Sequence, residues 1–158
     1  MPFINDFANA VSNYPANNVN LSIVDVTDEV PKPGEDPNIV NVNEVFTFRV
    51  RIRNNGHLNM TGISLHINGN NGAKVSKSST GPFSDEIVFG NLVVNGHGGQ
   101  QDTEKLFFKA PANQKPAGTE LIEAHLNSWN ANLAHILDGH SAHTTTPSAA
   151  FSTKVHPI

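Results

Sequence analysis

The amino-acid sequence predicts an all-β domain in which two sheets, built from seven or eight short strands, pack face to face. Composition is the first observation behind this prediction. Hydrophobic residues make up 37% of the 158 residues and charged residues only 15%, and the abundant Asn, Ser, Thr, Gly and Pro favour turns and short strands over helices. Pattern is the second observation, because apolar and polar residues alternate in short runs from Val19 onward. A chain of this length fits a single domain.

Charge and composition exclude several classes of partner. Ten Lys and Arg stand against fourteen Asp and Glu, a formal net charge of -4, so we expect neither nucleic acid nor an anionic membrane as a partner. The absence of Cys excludes disulfides and thiolate metal sites. The N-terminus lacks the pattern of a secretion signal, and no apolar run is long enough to cross a membrane. We therefore expect no membrane insertion. Either the protein acts where it is made or assembled, or a secretion signal has been removed from it.

Motifs for catalysis and cofactor binding do not occur in the sequence. No Gly-x-Ser-x-Gly segment presents a nucleophilic Ser. The Gly-rich run at residues 95–101 lacks the Lys and the following helix of a phosphate-binding loop, and we interpret it as a hairpin turn. The sequence therefore predicts a protein without enzymatic activity and without a cofactor.

The first residues have the spacing of a short amphipathic helix, which Pro15 ends. We predict that residues 1–17 form an N-terminal helical arm and linker, and that residues 18–158 form the sandwich. A helix this short is marginal alone and needs an apolar surface to cover. It either packs on its own domain or docks on a neighbouring subunit. Four residues form its apolar face: Phe3, Phe7, Val11 and Tyr14.

The segment EVFTFRVRIRNNG, residues 44–56, has the clearest strand pattern. Its outward positions hold Arg49, Arg51 and Arg53, and a turn follows at residues 54–56. The inward positions of this segment hold Phe46, Phe48, Val50 and Ile52.

The first strand of the chain, which precedes this segment, changes phase at Val24, as a bulged strand does.

The order of these segments resembles the immunoglobulin-like repeat domains of bacterial, archaeal and phage surfaces, and CARDB-type adhesion-related domains in particular. The matching elements are RNNG at residues 53–56, FGNLVVNG at residues 89–96 and AGTELIEAHL at residues 117–126. The resemblance covers roughly residues 19–156 and implies a two-sheet immunoglobulin-like sandwich at a cell or virion surface. A single copy without a leader favours a separate subunit, such as a virion decoration protein.

Two features of the predicted surface are candidates for partner binding. The three arginines lie about 6.7 Å apart along one strand face, a stripe that suits an acidic protein surface or a sulfated glycan. Cross-strand pairing with acids of the same sheet is the alternative. Trp129 falls on the outward side of the sixth strand by alternation. There it either packs under a loop or serves as a ligand platform.

Histidines are concentrated between residues 125 and 143, where four of the chain's eight occur. His135, His140 and His143, with Asp138, are the candidate metal ligands. Their spacing matches no compact zinc motif, so we predict an exposed loop without a metal. We predict that the second, third and sixth strands share a sheet, which places His66 and His125 on one outward face.

Together these features predict a non-catalytic structural or binding subunit of an extracellular or virion assembly. Its expected partners are protein subunits, including copies of itself, and docking would use the arm, the three arginines and Trp129. A carbohydrate or host-surface binding module that uses Trp129 and the arginines is one alternative. A metal-dependent enzyme that uses the His-rich loop is the other.

Overall fold

The computed structural model describes residues 14–29, 33–34, 36, 38–131 and 147–157. A short helix, α1 (Tyr14–Asn18), leads directly into the first strand. No helix in these ranges is long and apolar enough to cross a membrane. The strands of the described chain are β1 (Val19–Asp28), β2 (Val40–Asn41), β3 (Val45–Asn54), β4 (Met60–Gly69), β5 (Lys74–Ser76), β6 (Glu86–Val94), β7 (Gly99–Asp102), β8 (Leu106–Lys109), β9 (Lys115–Ala131) and β10 (Ser148–His156).

The strands form two sheets, which confirms the predicted all-β sandwich. The first sheet has the order β1-β3-β8-β5, and β7 also pairs with β3. The second sheet has the order β2-β10-β9-β4-β6. β7 and β8 lie end to end along β3, where they pair with residues 51–54 and 45–48. More strands are present than the predicted seven or eight because β2, β5 and β7 are pairing segments of only two to four residues.

One prediction about the sheets was wrong. The second predicted strand, β3, lies in the first sheet, whereas the third and sixth, β4 and β9, pair with each other in the second sheet. The turn after β3 carries the chain from one sheet to the other. This crossing lets the apolar faces of β3 and β4 pack against each other in one core.

The core lies between the inward faces of the two sheets. The rings of Phe46 and Phe108 stack with their centroids 5.3 Å apart, and the ring of Phe48 lies 6.0 Å from that of Phe108. Each large side chain that is fully buried stabilises the fold by about 1.5–3 kcal/mol. A one-residue slip of register is therefore strongly disfavoured, because it would turn all the inward apolar side chains of a strand toward solvent. The fully buried set includes the predicted residues Phe46, Phe48, Val50 and Ile52, together with Ile63, Leu65, Ile67, Leu106, Phe108, Ile122 and Ala124.

A bulge in β1 confirms that the strand changes phase, but the change occurs at Asp25 and not at Val24. The pairing of β1 with β3 is regular as far as Val24 and resumes at Thr27. Asp25 between them has a φ of 56°, in the left-handed region that Asp tolerates better than most residues. Ile23 and Val26 both pack against the core as a result.

A second bulge, in β9, corrects the predicted orientation of Trp129. Leu126 pairs with Leu65 and Ser128 with Ser64, so Asn127 is an extra residue in β9. The extra residue shifts the alternation by one position. Trp129 therefore points inward and is only 2% exposed. The prediction of an outward Trp129 was wrong because it extended strict alternation through the bulge.

Tyr14 belongs to the core of its own domain, which corrects its prediction as a docking residue. Its side chain is buried, its hydroxyl donates to Oδ1 of Asn54 at 2.7 Å and it accepts the backbone N–H of Leu58 at 3.1 Å. A Cβ at Gly56 would overlap the Tyr14 hydroxyl, so the close approach requires Gly there. The other residues predicted for the arm, Phe3, Phe7 and Val11, lie outside the described residues.

Candidate partner-binding surface

The outward side of the first sheet carries the predicted row of arginines. Arg49, Arg51 and Arg53 alternate along β3 with fully buried residues, so all three side chains leave the same face. β1 flanks this row on one side and β7 on the other. We call these three arginines the basic face. Because β3 is an interior strand of the sheet, the spacing of the row is fixed by pairing on both sides.

Arg51, in the middle of the basic face, is paired within the sheet. Its Nε and Nη2 donate to Oδ1 and Oδ2 of Asp102 at 2.8 and 3.1 Å, a bidentate arrangement. The two residues are register partners on β3 and β7. The guanidinium of Arg51 holds the pKa of the Asp102 carboxyl below its usual range, and the same contact raises the pKa of Arg51. For Arg51, cross-strand pairing is therefore the correct interpretation.

Arg49 and Arg53 are held by neutral acceptors instead. Nη1 of Arg49 donates to the backbone carbonyl of Thr103 at 2.8 Å, and Nε of Arg53 donates to Oδ1 of Asn55 at 3.0 Å. Neither arginine forms an ion pair with the described residues. Arg53 is exposed and Arg49 is half-buried. The charge of Arg53 is therefore more accessible to an outside partner than that of Arg49, which also lowers the pKa of Asp102.

Thr103, the first residue of the break between β7 and β8, fixes the position of Arg49. Its backbone N–H donates to the carbonyl of Val50 at 2.9 Å, and its Oγ1 accepts the N–H of Val50 at 3.0 Å. Thr103 is almost fully buried. Thr103, whose carbonyl accepts the hydrogen bond from Arg49, is thus itself held to Val50 by two hydrogen bonds. This network restricts the position of the Arg49 side chain.

A polar cleft of about 250 Å³ lies beside Arg49, where β1 bulges. Both signs of charge line it, so it does not extend the positive potential of the basic face. One of its acids, Asp28, is 5% exposed, and its carboxyl contributes to the raised pKa of Glu44. Burial and this carboxyl raise the pKa of Glu44, against the opposing effect of its hydrogen bond with Asn41. The lining residues are Asp25, Thr27, Asp28, Glu29, Thr47, Phe48, Arg49 and Lys105.

Of the other sequence-based candidates, Trp129 does not contribute to this surface. Trp129 lies in the core, with its ring centroid 5.8 Å from that of Tyr14, so no aromatic platform stands at that position. In the described ranges, no group of three or more His, Cys, Asp or Glu side chains is arranged to hold a metal ion. The candidate ligands His135, Asp138, His140 and His143 lie outside the described residues.

Two residues of the site escaped prediction from the sequence. Asp102 and Thr103 hold two of the three arginines, yet the sequence pattern places a strand only from about Leu106. The signal was weak because β7, GQQD, has no apolar alternation. Only its pairing with β3 brings Asp102 beside Arg51.

Comparison with known proteins gives matches among solved structures alone. No protein-family model matches the chain, and no curated protein does. The chain is similar to the CARDB domain of a Pyrococcus furiosus protein solved in complex with di-metal ions. Their identity is 11% and the TM-score 0.42, over 89% of this chain and 88% of that chain.

The chain is also similar to two solved structures of other kinds of protein. BslA, a bacterial hydrophobin, is 8% identical, with a TM-score of 0.39 over 89% of this chain and 95% of that chain. A family 123 glycoside hydrolase from Clostridium perfringens is 13% identical, with a TM-score of 0.35 over 86% of this chain and 27% of that chain.

The strand pairing defines the class of the protein as an immunoglobulin-like β-sandwich domain. A CARDB domain stands among the structures similar to it. A fold of this kind hosts many unrelated functions, so the function has to be derived from the chain's own side chains.

Proposed function

We propose that this chain is a non-catalytic structural or binding subunit of an extracellular or virion assembly. In this proposal the basic face docks on an acidic surface of a partner protein subunit. The observation that carries it is the row of three arginines on one interior strand, of which only Arg51 is paired with an acid of the described chain.

The chemistry of the row supports recognition of carboxylates. Each guanidinium has five N–H donors in a planar fork, and the contacts within the domain use one donor of Arg49, two of Arg51 and one of Arg53. The remaining donors suit carboxylate, phosphate or sulfate oxygens. Because the side chains are already held in place, little rotamer freedom is left to lose on binding.

The N-terminal arm forms the second part of the docking surface in this proposal. Phe3, Phe7 and Val11 supply its apolar residues, while Tyr14 anchors the end of the arm to the sandwich through its buried hydroxyl. Tyr14, to which the predicted arm is joined, is therefore held in a fixed position. Removal of residues 1–13, with Tyr14 kept, should weaken docking and leave the sandwich folded. Unchanged assembly of this truncated chain would remove the arm from the proposal.

The main test places a photo-reactive residue at position 53 in the chain and recovers it with its native assembly. We expect cross-links from position 53 to an acidic segment of a partner subunit. Lys154 is an exposed residue of β10 in the second sheet, and the same photo-reactive residue at position 154 serves as the control. A chain that never occurs in a particle or surface layer would contradict the proposal.

Charge reversal tests the basic face by itself. Arg53→Glu should weaken binding to the cross-linked partner at least about tenfold, because like charges would then meet across the interface. Lys154→Glu makes the same change in net charge at a distant exposed site and should bind as the unchanged protein does. Binding should also fall at high salt. Equal affinity of the two variants would show that docking does not use the basic face.

A sulfated glycan is the alternative partner, and the same arginine row favours it because sulfate oxygens accept from guanidinium as carboxylates do. The burial of Trp129 leaves this alternative without an aromatic platform at that position. Binding to heparin that is lost on desulfation and in Arg53→Glu, together with no protein cross-link from position 53, would favour the glycan.

A further inference from the structure

Two histidines face each other on the outward side of the second sheet, away from the basic face. His66 on β4 and His125 on β9 are direct register partners. Their ring centroids are 4.9 Å apart and the ring planes are inclined by 56°. The side chains are 27% and 28% exposed, so a dissolved ion can reach both rings.

Each ring has a carboxylate beside one of its nitrogens. Nε2 of His66 is hydrogen-bonded to Oε2 of Glu86 at 2.8 Å, and Nδ1 of His125 lies 3.7 Å from Oε1 of Glu123. Among the described residues, no hydrogen bond engages the second nitrogen of either ring. When the carboxylate-facing nitrogens carry the protons, Nδ1 of His66 and Nε2 of His125 carry the lone pairs.

At His66 this arrangement matches the way proteins build imidazole metal sites, whereas the 3.7 Å separation between His125 and Glu123 is too long for a hydrogen bond. A histidine that binds a metal usually donates its other ring N–H to a carboxylate, which orients the ring and makes the free nitrogen a better ligand. Late first-row divalent ions prefer imidazole nitrogen, whereas Ca²⁺ and Mg²⁺ prefer oxygen. We propose that His66 and His125 form a two-imidazole site for a late first-row divalent ion, Cu²⁺, Ni²⁺ or Zn²⁺.

The distance between the rings permits this geometry. Two nitrogens bound at about 2.0–2.1 Å to one tetrahedral ion lie roughly 3.3 Å apart. Because ring nitrogens lie off the ring centroid, a centroid separation of 4.9 Å allows one nitrogen of each ring to come that close. Pairing of β4 with β9 holds both backbones in place. The ion would therefore bind between two residues whose backbones are already fixed.

The charges around the pair also favour a cation. Glu86 and Glu123 bring two carboxylates to the two rings. Two protein ligands leave the remaining coordination positions to water, so the affinity should follow the order Cu²⁺ above Ni²⁺ and Zn²⁺. The inference does not rest on the proposed function, because it uses the other sheet.

A second histidine pair in the chain provides a matched control. The rings of His57 and His97 also lie with their centroids 4.9 Å apart, inclined by 67°. Both residues lie in loops between strands and are exposed, and no ion pair with a carboxylate holds either ring within the described part of the chain. Loss of this pair should change ion binding far less than loss of His66 or His125.

The experiment titrates the full-length chain without a His tag with Ni²⁺, Zn²⁺ and Cu²⁺ by calorimetry. His135, His140 and His143 are replaced by Ala in every sample, so that they bind no ion. His66→Ala and His125→Ala should each weaken one site at least about tenfold, since one imidazole then remains. The double variant His57→Ala/His97→Ala should keep that site, and Ca²⁺ and Mg²⁺ should show no binding there.

Two measurements make the outcome decisive. Circular dichroism and urea unfolding establish that His66→Ala and His125→Ala remain folded. Cu²⁺ added at a low molar ratio to the protein should broaden the amide resonances around positions 66 and 125 first, because paramagnetic broadening falls steeply with distance from the bound ion. The proposal is overturned if the triple-Ala chain binds none of the three ions, or if His66→Ala and His125→Ala bind them with unchanged affinity and stoichiometry.

Discussion

The hydroxyl of Tyr14 donates to Oδ1 of Asn54 at 2.7 Å, and this bond joins the helix α1 to the end of β3. Asn54 is fully buried and its Nδ2 donates to the carbonyls of Leu58 and Val94 at 2.6 and 3.3 Å. Its Oδ1 also accepts the N–H of Gly56 at 3.2 Å. One buried amide thus connects the helix, the turn after β3 and the end of β6.

Tyr14→Phe should therefore destabilise the domain without changing its fold. The substitution leaves the acceptor of Asn54 and the N–H of Leu58 without the Tyr14 hydroxyl, so we expect the free energy of unfolding to fall by about 1–3 kcal/mol. Urea unfolding measures the difference. Asn20→Ala, at an exposed position of β1, should stay within about 0.5 kcal/mol of the unchanged protein. Equal stability of Tyr14→Phe and the unchanged protein would contradict the role of this bond.

Trp129→Ala should act on stability and not on a ligand site. The side chain is 2% exposed, and truncation of a buried Trp lowers the free energy of unfolding by about 3–5 kcal/mol. Val93 on β6 is 51% exposed, so Val93→Ala serves as the control and should cost less than about 1 kcal/mol. If Trp129→Ala unfolds at the same urea concentration as Val93→Ala, the inward orientation of Trp129 is wrong.

Asp102 should titrate below the usual range of a carboxyl because Arg51 favours its charged form. A lowered folded-state pKa contributes stability above the unfolded-state pKa, about 3.9 for Asp, and that contribution is lost as the pH falls through the folded-state value. Arg51→Ala should raise the midpoint of Asp102, measured by carboxyl carbon NMR. Arg53→Ala changes the neighbouring arginine, which does not pair with Asp102, and should leave the midpoint nearly where it was. A midpoint that Arg51→Ala does not move would contradict the assignment.

Glu44→Gln should stabilise the domain at neutral pH. Burial and the carboxyl of Asp28 raise the pKa of Glu44, so the folded state binds this proton more tightly than the unfolded state does. Ionisation of Glu44 therefore lowers the free energy of unfolding. This loss develops as the pH rises from the unfolded-state pKa through the folded-state pKa, and it is absent in more acidic solution. Gln keeps the side-chain oxygen that accepts the N–H of Asn41 at 2.8 Å and carries no charge.

Unfolding curves at several pH values check this prediction. Glu44→Gln should gain stability over the unchanged protein at pH 7 and lose that advantage near pH 4. Glu104→Gln removes a charge at an exposed position between β7 and β8 and is the control. A Glu44→Gln variant that is less stable at pH 7 would show that the charged form of Glu44 is favoured in the fold.

Local patterns in the sequence predicted much of the fold. The alternation in β3 identified both its buried side and the basic face, since a strand places successive side chains on opposite sides of the sheet. The phase change at Val24 predicted the bulge in β1, which lies one residue later, at Asp25. In both cases neighbouring residues in the chain contain the whole signal.

The candidate sites could be predicted only in part. The pairing of Arg51 with Asp102 joins residues 51 positions apart, and β7 carries no apolar pattern that would reveal it as a strand. His66 and His125 were expected on one outward face, and the register of β4 against β9 then placed them directly opposite. Such contacts depend on which strands become neighbours.

The sequence by itself determined the class of fold, the inward and outward residues of its regular strands and the presence of an arginine row, because these depend on the two-residue period of a strand. The tertiary structure alone decided that Trp129 is a core residue, that Tyr14 anchors the helix and that two histidines meet across β4 and β9. Each of these depends on a bulge, a buried partner or a strand register. Distant parts of the chain set all three when they pack together.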